Sequence, residues 1–522
     1  MTTPSPLPVS IVLVPLVAVV PILLSGSRPN LREAWTVLAG LLTLGLTAWA
    51  ATATIDGVVY ETTLGEIVRG TPLAFRVDAM GGLFALLASF LWVVASVYSV
   101  GYVRGLGEDH QARYFAAFAA SIATTMGVAL AANLLTLFVF YELLTLATYP
   151  LVTHHGDAEA RRAGRKYLAY TLSGGVAILA GIVLVSAETG SVDFVGGGLA
   201  GLESDPLVAT VAYALLVVGF GVKAAVVPLH AWLPDAMVAP TPVSGLLHAV
   251  AVVKSGVFGL ARVVLFVFGV GTVRSLGLDL PLALAAAATM LLAGVLALRQ
   301  DKLKRGLAYS TVSQLSYIVL GIALLTPAAV FGALLHLVAH AFMKITLFFV
   351  AGAIYVETDV EYVGEMAGIW RRLPATMTAF AIGSAGLVGL PAVAGFVSKW
   401  YLVIGALESE VTLFAAVFLA AGLLKLLFFW PVLLNAFAGR EALAGFRPLA
   451  DRADEDHAVE TDGGHDSDTD WDRRTPLTES RWALLAPILV TAGVAVVLGI
   501  VPDATPFWDL AHAVSTEVFP NG

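Results

Sequence analysis

The sequence predicts an all-α polytopic membrane protein with about fourteen transmembrane helices, two inverted five-helix repeats, and helices 7 and 12 broken within the membrane. Three observations carry this. Hydrophobic residues fill 58% and charged residues 13% of 522 positions, and mean hydropathy is +0.86, more apolar surface than a water-soluble domain can hide. Apolar runs of about 20 residues, the length that spans a bilayer, recur along the chain. Lysine and arginine partition sharply between alternate loops.

The spans are expected near 9–25, 34–54, 79–102, 114–131, 134–152, 167–187, 207–227, 242–268, 278–298, 305–324, 327–355, 375–405, 411–437 and 482–501. The first lacks a basic leader and a small-residue cleavage site, so it reads as a span and not as a removable signal. The Pro-rich stretch 227–241, VPLHAWLPDAMVAPT, is too polar to span and reads as an interfacial helix or loop. With the N-terminus outside, the cytoplasmic loops hold 20 of the 29 Lys and Arg residues, the outer loops three (Arg69, Arg76, Arg274), and the spans six. That asymmetry supports both termini outside. Residues 451–472 hold ten of the 38 acids and read as a hydrated cytoplasmic loop whose spacing matches no calcium site. Cysteine is absent, which excludes disulfides, thiol catalysis, iron–sulfur clusters and Cys-ligated zinc.

Two spans are interrupted by Gly and Pro and carry one lysine each. LLVVGFGVKAAVVPLH contains Lys223 and Pro228; GSAGLVGLPAVAGFVSKW contains Pro391 and Lys399. They lie five spans apart and therefore cross in opposite directions, the mark of an inverted repeat. The expected division is 1–112 (helices 1–3), 113–268 (first repeat, helices 4–8), 269–438 (second repeat, helices 9–13), 439–481 (acidic cytoplasmic loop) and 482–522 (helix 14 and tail).

Six cations fall inside apolar stretches: Lys223, Lys254, Arg262, Lys344, Lys399 and Lys425, joined by Glu142. A charge at the bilayer centre costs roughly 2.5–3.5 kcal/mol on insertion scales and is rarely kept there without a task. A row of them points to a path for protons or cations. Lysine can surrender its proton when buried; arginine cannot. His336, His340 and Lys344 fall at i, i+4 and i+8 on one helix face, and histidine titrates near neutrality, so the stripe reads as a link between Lys254 and Lys399. Helix-packing histidines, a static Glu142–Lys223 ion pair and a His336–His340 metal site are the competing readings. His248 lies off the face of Lys254 but in reach of the same cavity, and Lys425 reads as an exit group near the outer face. Arg262 reads as a snorkelling or structural charge, Asp235 as a loop residue or an entry point. Ser310, Thr311, Ser313, Gln314 and Ser316 read as groups that hold water or pack helices.

The motifs NLLTLFVFYELLTLATYPLV, KAAVVPLHAWLPDAMVAPTPVSGLLHAVAVVKSGVFGLAR, LKRGLAYSTVSQLSYI, HLVAHAFMKITLFFVAGAIY and GLPAVAGFVSKW resemble the antiporter-like membrane subunits shared by Mrp-type multisubunit sodium/proton antiporters, respiratory complex I and membrane-bound hydrogenases. The resemblance implies fourteen helices with an inverted repeat. It places the family's helix-five glutamate at Glu142 and its helix-seven lysine at Lys223, with a proton path through Glu142, Lys223, His248, Lys254, His336, His340, Lys344, Lys399 and Lys425. Length and Lys399 are similar to the D-type Mrp subunit; the pair His248 and Lys254 is similar to A-type and hydrogenase-linked relatives. The implied function is proton translocation in a monovalent cation (sodium)/proton antiporter. The alternative is a proton-pumping subunit of a complex I-like or hydrogenase-type redox complex. Either way it is an ion transporter subunit of a multi-pass cell-membrane complex, not an enzyme by itself. Its expected partners are other subunits, protons, monovalent cations and lipid. No cofactor, metal or nucleic acid is expected.

Overall fold

A computed structural model describes residues 2–438, 471–476 and 478–520. Most of the acidic segment 439–481 lies outside the described residues. The helices are α1 (Leu7–Leu24), α2 (Pro29–Ile55), α3 (Ala79–Leu106), α4 (Gln111–Ala129), α5 (Leu134–Val152), α6 (Ala158–Thr189), α7 (Pro206–Lys223), α8 (Trp232–Asp235), α9 (Thr241–Ser275), α10 (Asp279–Ala297), α11 (Leu303–Ala323), α12 (Pro327–Thr358), α13 (Pro374–Val388), α14 (Ala394–Glu408), α15 (Leu413–Ala438), α16 (Trp482–Ile500) and α17 (Pro506–Val518). Twelve of them are long and apolar enough to cross a membrane. The other two expected spans are α4, most of whose residues are buried, and the pair α13–α14, split at 389–393. The chain is thus an all-α, multi-pass membrane protein.

Both expected breaks are present. α7 ends at Lys223, and an irregular stretch with Ala225 at φ +57° precedes α8. The Trp232 indole donates across the gap to Val222 O at 2.8 Å, satisfying a carbonyl that the lost helical turn would leave open. α13 closes on Gly389 at φ +101°, a left-handed position that suits glycine. The two broken helices start at opposite ends of the bundle. α13 begins where the buried Glu479 accepts from Ala375 N and Thr376 N at 2.7 and 2.8 Å. α7 begins at the end of the bundle that carries a small sheet and the helix Pro506–Val518.

That sheet was not anticipated. β1 (Thr2–Pro4) pairs parallel with β2 (Val59–Val68), which pairs antiparallel with β3 (Thr71–Val77). Its burial does not alternate along β2, so no period-two pattern is written into the sequence. The tail after the last expected span forms α17, which packs on α3 and α12. The deepest elements are α9 and α12, whose span windows are completely buried. α9 carries two π-helical segments, Leu246–Val250 and Val263–Phe268, a helix defect that often sits at functional sites.

Candidate functional site: a buried ionisable row

The row begins between α5 and α7. The Lys223 ammonium donates to Tyr141 O at 2.5 Å and lies 3.4 Å from the centroid of the Tyr141 ring. Carbonyl and aromatic face together compensate a cation taken out of water. Glu142, the next residue, interacts electrostatically with Lys223, but no ion pair joins them among the described residues. Glu142 Oε1 is buried without a hydrogen-bond partner there. A Cβ on Gly256 of α9 would fall 2.6 Å from Lys223 C, so α9 touches the α7 backbone at the lysine itself.

Two residues before Gly256, the Lys254 ammonium lies 2.7 Å from His340 Nδ1 on α12. The ammonium has only hydrogens to give, so Nδ1 accepts. The His340 and His336 rings stack at 6.3 Å. His336 spans two partners, with Nε2 3.0 Å from Gln314 Oε1 and Nδ1 2.9 Å from Ser398 Oγ. The amide oxygen can only accept, so Nε2 carries the proton and Nδ1 accepts from the hydroxyl. Tyr317 stacks on His336 at 5.2 Å, and the Lys399 ammonium lies 5.0 Å from the centroid of the same ring. Lys399 donates to Leu387 O, and to Val388 O at 3.1 Å. These are the carbonyl end of α13, where a helix carries partial negative charge. Lys344 donates to Ser310 Oγ at 2.9 Å and Leu307 O at 3.2 Å.

Two predicted members stand apart. His248, within a π-helical segment, lies tilted against Phe348 with ring centroids 4.9 Å apart; neither ring nitrogen has a partner among the described residues. The Lys425 ammonium is buried and likewise unpartnered there. Expected near the outer face, Lys425 instead occupies the middle of α15, 12 residues from Leu413 and 13 from Ala438, or about 18–20 Å from either end at 1.5 Å per residue. Position in a span follows from where the helix begins, and the short loop 409–412 before Leu413 sets Lys425 well inside α15.

The family described as NADH:quinone oxidoreductase/Mrp antiporter, TM, matches residues 131–424. NADH-quinone oxidoreductase subunit N of Desulforudis audaxviator is 35% identical over 439 residues, 83% of this chain and 86% of that protein. The chain belongs to this family. A probable K(+)/H(+) antiporter component, the A/B polypeptide of Rhizobium meliloti, is 34% identical over 71% of this chain, which spans 36% of that longer protein. Among solved structures, the Mrp complex from Dietzia sp. DQ12-45-1b contains a chain with TM-score 0.82 and 25% identity over 99% of this chain and 98% of that one. The membrane-bound sulfane sulfur reductase, an archaeal respiratory membrane complex, shares the fold at TM-score 0.81 and 21% identity. The protein is a proton-translocating membrane subunit of the antiporter and complex I type.

The family match runs from before Glu142 to the residue preceding Lys425, so it contains every predicted path residue but that one. Several side chains in this membrane subunit are not marked by the sequence. Tyr141 and Tyr317 bracket the row, and nothing in their spacing marks them among 14 tyrosines. Ser398 mattered only through its neighbour Lys399. Lys304, assigned to a loop, stands in the first turn of α11 and donates to Ala239 O at 2.8 Å. It lines a cavity of about 1240 Å³ with Glu108, Arg162, Lys166, Asp235 and Glu361, at the end of the bundle opposite the sheet. Asp235 pairs there with Lys166 at 2.6 Å. Arg262 is fully buried, pairs with Asp78 at 2.7 Å and is ringed by Phe194, Phe258 and Phe266, so it does not snorkel.

Proposed function

We propose that this chain is the proton-translocating subunit of a multisubunit monovalent cation (sodium)/proton antiporter of the cell membrane. In this reading protons pass between Glu142, Lys223, Lys254, His340, His336 and Lys399, with Lys344, His248 and Lys425 lining the same route. The hydrogen bond from Lys254 to His340 carries the argument most directly. It puts an exchangeable proton between two bases in the middle of the bundle, where a fixed charge alone would be costly. The repeats 113–268 and 269–438 form the transporting body, flanked by 1–112 and by 482–522. Both termini lie outside, and the cavity around Lys304 is the cytoplasmic mouth. Other membrane subunits complete the machine. Sodium as the exchanged cation rests on the resemblance to Mrp-type subunits.

The similarity to an NADH-quinone oxidoreductase subunit over most of the chain favours a second reading, a proton pump driven by electron transfer in partner subunits. Everted vesicles from cells carrying the complete complex separate the two. Sodium added to vesicles with a preset pH gradient should collapse it without any respiratory donor, and Lys223→Ala should abolish that response. Proton movement that needs a redox donor and ignores sodium would favour the second reading.

A further inference from the structure

Glu142 and Lys223 interact electrostatically but form no ion pair among the described residues, and each rests on a different neighbour. Lys223 leans on Tyr141, whereas the Glu142 carboxylate lies flat against α6. A Cβ built on Gly175 of α6 would stand 2.4 Å from Glu142 Oε1, 2.6 Å from Cδ and 2.9 Å from Oε2. The whole carboxylate therefore covers the bare Cα of Gly175, and Oε1 is sealed there without a partner among the described residues. The adjacent glycine serves another purpose. A Cβ on Gly174 would meet Gly219 O at 2.9 Å and Val222 Cγ2 at 3.0 Å, so it permits the close seam of α6 on α7.

We propose that Gly175 is a positioning residue, the seat that holds the Glu142 carboxylate away from Lys223 in the unpaired state of their exchange. The proposal rests on the reading of Glu142 and Lys223 as exchange partners. A methyl group at Gly175 would expel the carboxylate, since 2.4 Å is about 1.0 Å short of ordinary contact. What must give way is the free end of a flexible side chain, not backbone, so the helices still pack. Aspartate at 142 would withdraw the carboxylate by one methylene, about 1.5 Å, more than the overlap.

The test uses the complete complex in everted vesicles, with cation-driven proton flux and complex abundance measured together. Gly175→Ala should retain the complex and lower flux about tenfold, as misplacement of a reacting group does. In the Glu142→Asp background the same substitution should cost less than about twofold, because the two residues are directly coupled. Gly174→Ala, the packing control, should show no such suppression by Glu142→Asp. Normal flux in Gly175→Ala, or equal fold losses in both backgrounds, would overturn the proposal. If Gly175→Ala depletes the complex, recovery of its abundance by Glu142→Asp supports the seat, and no recovery overturns it. Normal transport by Glu142→Gln would sink the underlying exchange reading; an inactive Glu142→Gln beside a normal Gly175→Ala sinks the seat alone.

Discussion

Lys254 and His340 share one short hydrogen bond in a fully buried setting, and what each residue can do with the proton decides their worth. An arginine keeps its charge at any accessible pH. Lys223→Arg should therefore fail almost as badly as Lys223→Ala if the residue must release a proton, whereas a static cation would tolerate it. Flux in everted vesicles, normalised to assembled complex, checks this, and near-normal flux would leave Lys223 as a structural cation. His340→Gln keeps hydrogen-bonding atoms but removes the titrating ring, and should lower flux strongly while leaving assembly intact. Outside the spans, His154 is 5% exposed, and burial chiefly lowers its pKa from 6.5 to about 4. It is neutral in the folded chain where the unfolded chain would take a proton. Its contribution to stability is thus complete above about pH 6.5 and lost as pH falls toward about 4. Thermal midpoints in detergent should fall between pH 7.5 and 5, and His154→Gln should flatten that slope.

At the scale of elements, breaks and defects in the helices set where the charges stand. α7 stops at Lys223, and α13 stops where Lys399 reaches back to its last carbonyls. Both cations therefore sit at the negative end of a half-helix, the usual arrangement in transporters with discontinuous spans. The backbone contact of α7 with α9 is equally specific. A Cβ on Gly256 would stand 2.3 Å from Ala224 N and 2.6 Å from Lys223 C, and backbone cannot yield as a side-chain tip can. Gly256→Ala should push the two helices apart at a cost of about 1–3 kcal/mol. The outcome should appear as loss of assembled complex on native gels and a lower thermal midpoint, in contrast to Gly175→Ala. An unchanged midpoint would show that the α7–α9 contact is looser than described.

For the whole molecule, the two ends of the bundle differ in kind. One end carries the sheet, α17 and the Asp78–Arg262 pair; the other carries the charged cavity with Lys304. From the excess of Lys and Arg in alternate loops we propose that the first end faces outside. A chain without cysteine makes the check simple. An impermeant thiol reagent added to intact cells should label Thr516→Cys and spare Glu159→Cys, both exposed positions, and the reverse pattern would invert the topology. We propose that the chain works together with partner subunits, since its solved structural neighbours are parts of membrane complexes. The purified chain alone in liposomes should show little sodium/proton exchange, and robust exchange would remove the need for them.

Most of the crossings, the two broken helices and the lysines set among apolar residues were legible in the sequence, because hydropathy and the cost of a charge in lipid act on each residue almost independently of its neighbours. Apolar runs of spanning length are self-evident, and Lys223, Lys254, Lys344, Lys399 and Lys425 stand out against them. The stripe His336–His340–Lys344 was legible too, because helical periodicity alone puts those positions on one face. Partners were decided only by the tertiary structure. That Lys223 leans on Tyr141 without an ion pair to Glu142 among the described residues, that His336 bridges Gln314 and Ser398, and that Arg262 is neutralised by Asp78 all depend on residues far apart in the chain. Their separation along the chain encodes none of these distances. The sheet remained hidden because its short, half-exposed strands carry no period-two pattern; α17 does carry a helical period, burying Phe507, Leu510, Ala511, Val514 and Val518, but its 13 residues are too few to stand out among runs of spanning length.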